Sequence, residues 1–192
     1  REIIRLTGKK RPNVLFIPTA SSDSQKYWKH FQKYFGHYLK CKTDALFLIK
    51  EKPTKMEMAR KILTSDIVYV GGGNTLKMMR LWRTLGVDRL LEKAYDKGIV
   101  LCGISAGSIC WFESGHSDSL SFSRPKKWNY INVRGLGILK GIHCPHYNSR
   151  TRGIPRRKDC QKMIQTIGGM GFALCDNSAL EVINGTLFKI LG

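Results

Sequence analysis

The chain has 192 residues, of which 42% are apolar, and a formal net charge of +19. This length and composition suit a globular protein with a buried core. We predict one domain over residues 1–192 and expect it to be truncated at both ends. No run of about 18 apolar residues occurs, so no transmembrane helix and no membrane partner are expected. Residues 1–5 do not form a signal peptide.

The six cysteines are dispersed and show neither C-x-x-C pairs nor zinc-finger spacing. Several lie in apolar runs, which is typical of buried, reduced thiols. This pattern favours a cytoplasmic protein. Cys144 and His146 could be two metal ligands, but no companion pair is evident, so we predict neither a metal nor another cofactor.

The basic residues are scattered along nearly the whole chain. Such a charge attracts polyanions and acidic small molecules. However, the sequence contains no helix-turn-helix, zinc finger or RNP-like signature, and the basic residues form no long block. We therefore predict a solvated basic surface and no nucleic-acid partner.

The first half of the chain alternates between strand and helix patterns. Apolar runs predict strands, and apolar side chains at helical spacing predict the helices between them. This alternation predicts a doubly wound, mostly parallel sheet with helices on both faces. The predicted strands cover residues 14–18, 44–49, 66–70 and 98–102, and the first two helices cover about 25–39 and 53–64.

Two unusual loops follow the third and fourth predicted strands. Residues 71–75 read GGGNT, and residues 103–108 read GISAGS. The second loop fits the G-x-S-x-G pattern of a nucleophile turn, with Ser105 at its centre. Three consecutive glycines indicate unusual φ angles or close approach to a bound group. The alternatives without a functional role are a plain glycine turn at residues 71–75 and an ordinary Gly/Ser loop at residues 103–108.

The second half of the chain follows a different pattern. Residues 113–119 form a polar segment, residues 142–148 carry two histidines beside a proline, and residues 150–158 form a basic loop. A helix is predicted over residues 159–167, after which Asn184-Gly185 predicts a C-terminal β-hairpin. The predicted strands here are 128–133, 172–175, 179–183 and 186–190.

A serine nucleophile needs a base, an acid that orients the base, and an oxyanion hole. The backbone N–H of Ala106 and that of Gly72 or Gly73 are candidate oxyanion donors. Glu113 and Asp118 are the nearest candidate acids. The candidate bases are His30, His37, His116, His143 and His146, and spacing slightly favours the last two.

The combination of VGGGNT, GISAGS and the later C-P-H-Y-N segment resembles the peptidase E (aspartyl dipeptidase) family of serine peptidases. The resemblance extends from about Pro12 to Leu187. It implies the fold of class I glutamine amidotransferases, with serine in place of cysteine at the turn. It also implies Ser105 as nucleophile and His146 as base, with Gly73 and Ala106 supplying the oxyanion hole.

The resemblance further implies a triad acid and substrate contacts. Asp118 lies thirteen residues after the serine, near the place of the family's acid, and Glu113 is the alternative. Arg156 or Arg157 falls near the family's substrate-recognising basic residue, although the loop before it is shorter here. Asn74 is a further candidate substrate contact.

From these features we predict a serine peptidase, a monomer or homodimer. It would hydrolyse small peptides through an acyl-enzyme, with dipeptides that begin with aspartate as the first choice of substrate. An esterase or amidase using the same triad is one alternative. A non-enzymatic basic binding protein on the same fold is the other.

Overall fold

A computed structural model describes residues 1–191, apart from the side chain of Leu187. These residues divide into two compact units. The first contains residues 1–73 and 77–107, and the second contains residues 74–76 and 108 onward. The expectation of a single domain stays a prediction, and Gly192 lies outside the described residues.

The first unit contains a four-stranded parallel sheet in the order β2-β1-β3-β4. Its inner strands consist almost wholly of buried apolar residues, as expected for strands covered on both faces. The strands are β1 (Asn13–Ile17), β2 (Lys42–Ala45), β3 (Ile67–Val70) and β4 (Val100–Gly103).

Helices precede or follow these strands, in the alternation that the sequence predicts. They are α1 (Glu2–Arg5), α2 (Gln25–Phe31), a π-helix (Gln32–Tyr38), α3 (Lys55–Leu63), α4 (Thr75–Leu85), α5 (Val87–Asp96) and α6 (Ala106–Ile109). The rings of Phe31 and Phe35 stack with centroids 4.4 Å apart and are buried. Tyr34 and Tyr38, on the same helical segment, are 56% and 59% exposed.

The second predicted strand ends earlier than expected, at Ala45 rather than at residue 49. The buried carboxylate of Asp23 accepts hydrogen bonds from the N–H groups of Ile49 and Lys50, at 2.6 and 3.0 Å. These bonds hold the chain in a turn at the point where the apolar run would otherwise extend as a strand.

The second unit contains a mixed sheet in the order β10-β7-β5-β6, in which the β5–β6 pair is antiparallel. One longer helix and two short hairpins complete this unit. The elements are β5 (Phe112–Ser117), β6 (Ile131–Arg134), β7 (Leu139–Cys144), β8 (Arg150–Thr151), β9 (Ile154–Pro155), α7 (Arg156–Ile167), β10 (Gly171–Ala173), β11 (Ala179–Ile183) and β12 (Leu187–Leu191).

Strand β5 coincides with the segment that the sequence marks only as polar. The side chains of His116 and Ser117 are buried in this strand, and each finds a hydrogen-bond partner inside this unit. His116 Nε2 lies 2.9 Å from a carboxylate oxygen of Asp159, and the Ser117 hydroxyl donates to that of Thr75 at 3.2 Å. Satisfied polar groups can lie inside a protein, so polarity here concealed a central strand.

The predicted fold class is confirmed: the chain is a mixed α/β protein with a parallel sheet, helices and a C-terminal hairpin. Asn184 and Gly185 both have positive φ, 53° and 69°, as the predicted two-residue turn requires. Within residues 1–191, no helix combines the length and the apolar character that crossing a membrane requires.

Candidate active site

Ser105 lies in the turn between β4 and α6 and has a φ of +56°. Non-glycine residues rarely occupy this left-handed region. Glycines on both sides make the turn sterically possible. A Cβ on Gly103 would lie 2.2 Å from the carbonyl oxygen of Gly107, and one on Gly107 would lie 2.1 Å from that of Val70. Close backbone packing therefore enforces the strained turn at Ser105.

The glycine-rich loop after β3 packs against this turn within the first unit. A Cβ on Gly72 would lie 3.2 Å from the Cβ of Ser105, and one on Gly73 would lie 2.2 Å from the carbonyl oxygen of Ala20. Gly73 also has a φ of +141°. The N–H of Gly72 donates to the Tyr27 hydroxyl at 3.4 Å. The loop thus makes the close backbone approach that three consecutive glycines indicate.

His146 and Asp176 form a hydrogen-bonded pair in the second unit. The Nδ1 atom of His146 lies 2.5 Å from Oδ1 of Asp176. Because a carboxylate only accepts, Nδ1 carries the proton, which makes Nε2 the acceptor nitrogen. The two side chains are 32% and 45% exposed. An imidazole oriented in this way can take a proton from a hydroxyl group.

The backbone around this pair is tied together beyond the ends of β7 and β10, which are parallel neighbours. Leu174 donates its N–H to the carbonyl of Cys144 at 3.0 Å, and Tyr147 donates to the carbonyl of Leu174 at 2.9 Å. The N–H of Asp176 donates to the side-chain oxygen of Asn148 at 2.9 Å. The loops that carry the histidine and the aspartate are therefore fixed to each other.

Asp118, the first choice for the triad acid, binds a different partner. Its Oδ2 accepts hydrogen bonds from Arg156 Nη2 at 2.7 Å and from the Thr151 hydroxyl at 3.0 Å. The Arg156 side chain is 4% exposed and its guanidinium lies 5.1 Å from the ring centre of Tyr130. A buried guanidinium requires such a carboxylate. The predicted acid and one predicted substrate arginine thus bind each other.

Glu113, the alternative acid, also has its own partners. Its carboxylate accepts from the N–H of Gly141 at 2.7 Å and from the Lys140 ammonium at 3.2 Å. The hydrogen bond from Gly141 is the main cause that holds the pKa of Glu113 below its usual range. In the described part of the chain, the acid that hydrogen-bonds His146 is Asp176, and neither Asp118 nor Glu113 does so.

The remaining predicted substrate contacts differ in exposure. Arg157 is exposed, with its guanidinium 5.8 Å from the ring centre of Tyr147, the residue after His146. The Asn74 side chain is half-buried and donates to the carbonyl of Ser119 at 3.2 Å. Of these side chains, Arg157 presents an accessible positive charge.

The other histidines lack the combination found at His146. His30 and His37 are exposed on the first unit's helices. His116 and His143 are 0% and 1% exposed, and burial lowers the pKa of both. Among the five histidines, His146 is the one that joins a partly exposed ring to a carboxylate on Nδ1.

Cys144 and His146 are the two residues that the sequence offered as possible metal ligands. Within residues 1–191, no group of three or more His, Cys, Asp or Glu side chains is arranged to hold a metal ion. Cys144 is buried, and its thiol donates to the carbonyl oxygen of Pro145 at 3.8 Å.

Asp176, the partner of His146, is not among the acids that the sequence singled out. It directly follows the predicted strand at residues 172–175, and an acid just past a strand is a recognisable signal of a site in an α/β fold. The sequence does not reveal that this strand lies beside the one that leads to His146, because the two are about thirty residues apart.

The profile of peptidase family S51 matches residues 1–190. The chain is 36% identical over 188 residues to the uncharacterized peptidase YgaJ of Bacillus subtilis, covering 97% of this chain and 76% of that protein. It is 23% identical over 175 residues to a probable alpha-aspartyl dipeptidase of Drosophila melanogaster, covering 88% of this chain and 68% of the relative.

Two solved structures share the fold. A putative peptidase E protein from Listeria monocytogenes superposes with a TM-score of 0.73 at 21% identity, covering 99% of this chain and 91% of that one. A peptidase from an acI-B1 Actinobacterium superposes with a TM-score of 0.76 at 20% identity, covering 100% and 79%. At these identities the likeness supports the α/β architecture.

Proposed function

Since this chain belongs to peptidase family S51 and is a serine-type peptidase, we propose that Ser105 is its nucleophile, His146 its general base and Asp176 the acid that orients His146. The resemblance to peptidase E seen in the sequence is confirmed by this membership. The observation that carries the proposal is the hydrogen bond between His146 Nδ1 and Asp176. It leaves Nε2 as the nitrogen that accepts the serine proton.

The proposed reaction is peptide hydrolysis through an acyl-enzyme. Ser105 Oγ gives its proton to His146 Nε2 and attacks the scissile carbonyl carbon. The N–H groups of Ala106 and Gly73 donate to the developing oxyanion, and the neighbouring Gly72 is the alternative donor. The protonated imidazole then gives its proton to the leaving amine as the C–N bond breaks. Water, deprotonated by the same imidazole, attacks the ester and releases the acid and the serine.

The strained turn at Ser105 supports this role. A non-glycine residue in the left-handed region costs about 1–3 kcal/mol, and such strain clusters at functional sites. The close packing around Gly103 and Gly107 maintains it here. In the G-x-S-x-G pattern this turn exposes the hydroxyl at the carboxyl end of the sheet.

The proposed substrates are small peptides, with dipeptides that begin with aspartate as the first choice. The Drosophila relative is named a probable alpha-aspartyl dipeptidase. Arg157 offers an exposed guanidinium one helical residue beyond Arg156, which is anchored by Asp118. We assign the substrate carboxylate to Arg157, with Asn74 as a further contact, and the net charge of +19 draws acidic peptides towards the protein.

The test is hydrolysis of Xaa-p-nitroanilides, with Xaa being Asp, Glu, Ala, Leu or Lys, by wild type and by Ser105→Ala. Ser123→Ala, at an exposed serine that bonds the carbonyl of Leu120, is the matched control. We expect Asp-selective turnover that Ser105→Ala loses by roughly 10⁵-fold or more and that Ser123→Ala retains. Labelling by a phosphonate, located by mass spectrometry, should map to Ser105.

The other outcomes are equally decisive. If turnover survives in Ser105→Ala, the assignment of Ser105 as the nucleophile is wrong. Turnover of another nitroanilide keeps the serine mechanism and removes the aspartyl preference. Cleavage of esters or simple amides in place of peptides supports the esterase or amidase alternative. If nothing is cleaved and no label attaches, the binding-protein alternative is supported.

A further inference from the structure

A hydrogen-bond relay around the buried His143 in the second unit involves residues that flank two of the proposed catalytic positions in sequence. The Ser108 hydroxyl lies 2.9 Å from His143 Nε2, and His143 Nδ1 lies 2.9 Å from the carbonyl oxygen of Phe172. Ser108 is the third residue after Ser105, and His143 is the third residue before His146. The relay thus connects α6 to β7 and β10.

The protonation state of this relay follows from its partners. A carbonyl oxygen only accepts, so His143 Nδ1 donates to Phe172 and Nε2 accepts from the Ser108 hydroxyl. Burial lowers the pKa of His143 to about 4, and its ring stacks on Phe112 with centroids 4.6 Å apart. Near neutral pH the imidazole is therefore uncharged with both nitrogens engaged. It therefore does not act as a general base, and the role of this buried histidine is a different one.

The backbone is strained at two residues that lie three positions from the relay in sequence. Ser105 has a φ of +56° and His146 a φ of +55°. Strain of this kind persists only where the surroundings enforce it. Helix α6 has four residues, and a single turn of helix depends on tertiary contacts for its stability. The hydrogen bond from Ser108 to His143 is such a contact.

We propose that His143 is a positioning residue for peptide hydrolysis, which holds α6 through its hydrogen bond to Ser108. This inference rests on the proposed function of Ser105 and His146. Helix α6 begins with Ala106, whose N–H is a proposed oxyanion donor. Loss of the bond allows this turn of helix to shift, and a displacement of about 1 Å at a reacting group can cost about 100-fold in rate.

Two conservative substitutions each keep one of the two hydrogen bonds that the His143 imidazole makes. In His143→Gln the side-chain amide reaches the place of Nε2 and can still accept from Ser108. In His143→Asn the shorter amide reaches the place of Nδ1, so it keeps the bond to Phe172 and loses Ser108. Ser108→Ala removes the same bond from its other end. A structural role alone predicts similar losses from both substitutions at residue 143.

The experiment measures kcat and KM on the best nitroanilide, the rate of phosphonate labelling of Ser105, and the Tm of each variant. We expect His143→Asn and Ser108→Ala to lower kcat and the labelling rate about 10- to 100-fold at unchanged KM. His143→Gln should stay within about threefold of wild type. The double variant His143→Asn/Ser108→Ala should lower kcat by less than the product of the two single losses, because both substitutions remove the same hydrogen bond.

His116→Asn is the control, since His116 is also buried and hydrogen-bonded in the second unit. It should lower Tm without lowering kcat. The inference is overturned if His143→Asn and Ser108→Ala keep wild-type kcat, or if His143→Gln falls as far as His143→Asn. A wild type that neither turns over nor labels overturns the proposed function, and this inference with it. If wild type is active, the proposed function is not in question and the variants test this inference alone.

Discussion

The segments around Ser105 and His146 are held by different kinds of interaction. The turn at Ser105 depends on backbone packing, because Cβ atoms on Gly103 and Gly107 would meet carbonyl oxygens at 2.2 and 2.1 Å. The loop at His146 depends on hydrogen bonds, among them those to Asp176 and from Asp176 to Asn148. A methyl group added at either glycine would clash with the backbone. A substitution in the hydrogen-bond network, by contrast, removes one bond and leaves the others in place. The two segments should therefore respond differently to substitution.

Among the substitutions that test this comparison, Asp176→Asn is expected to lower the rate most. In Asp176→Asn the amide no longer fixes the proton of His146 on Nδ1, so the imidazole loses the tautomer that a base needs. We expect kcat to fall about 10⁴-fold in a protein that remains folded. Nitroanilide turnover and the unfolding curve measure the two properties separately.

Asp118→Asn is the matched control for this prediction. It leaves the buried guanidinium of Arg156 without its carboxylate, so the free energy of unfolding should fall by about 3 kcal/mol. Its effect on kcat should be far smaller than that of Asp176→Asn. A larger loss of kcat in Asp118→Asn than in Asp176→Asn would identify Asp118 as the triad acid instead.

Gly107→Ala tests the steric side of the comparison. The new methyl group would lie 2.1 Å from the backbone oxygen of Val70, and backbone cannot turn aside as a side chain can. We expect the free energy of unfolding to fall by about 3 kcal/mol or more, measured by urea denaturation. Gly36→Ala is the control, because its nearest contact is Thr43 Oγ1 at 3.4 Å. A change below about 1 kcal/mol is expected there, and equal losses at both sites would refute the steric argument.

Asn148→Ala removes one member of the hydrogen-bond network and should have a graded effect. Asp176 loses the acceptor for its N–H but keeps its bond to His146. We expect kcat to fall about tenfold, well short of the loss from Asp176→Asn. Asn132→Ala, at an exposed position of β6, should leave kcat unchanged. A loss as large as that of Asp176→Asn would mean that the network acts as one unit.

A pH dependence of stability is also expected from the buried histidine of the relay. Burial lowers the pKa of His143 to about 4, below the ordinary value of 6.5. Between these values the unfolded chain binds a proton that the folded chain does not, so stability falls as the pH falls. The slope is at most about 1.4 kcal/mol per pH unit from this group.

Urea unfolding between pH 7 and pH 4.5 measures this slope, and His143→Gln should reduce it. His116, whose pKa burial also lowers, contributes in the same direction and remains in both proteins. Identical slopes for wild type and His143→Gln would show that His143 is not held neutral.

Several features could be read from local sequence because local physics decides them. Apolar runs and helical spacing predicted the alternating first half, and Asn184-Gly185 predicted the hairpin that is observed. The G-x-S-x-G pattern predicted a sharp turn at Ser105, because two glycines mark where a Cβ cannot fit. The C-P-H-Y-N segment singled out His146 only through the resemblance to a family.

Other features were decided by tertiary structure. Strand β5 is polar in sequence, and the burial of His116 depends on a carboxylate from α7, more than forty residues away. Likewise, Asp118 was chosen because it lies thirteen residues after Ser105, near the place of the family's acid, whereas folding places it against Arg156. Sequence distance does not predict which charged groups meet, since that depends on strand order.

The sequence by itself determined the family, the alternating α/β pattern and the turn at Ser105, since each depends on short-range sterics or on motifs. Only the tertiary structure decided which acid meets His146. Strand β10 lies parallel to β7, so the loops that leave their carboxyl ends come together and bring Asp176 to the imidazole. Strand neighbours are chosen by the packing of the whole sheet, and no local pattern in the chain records that choice.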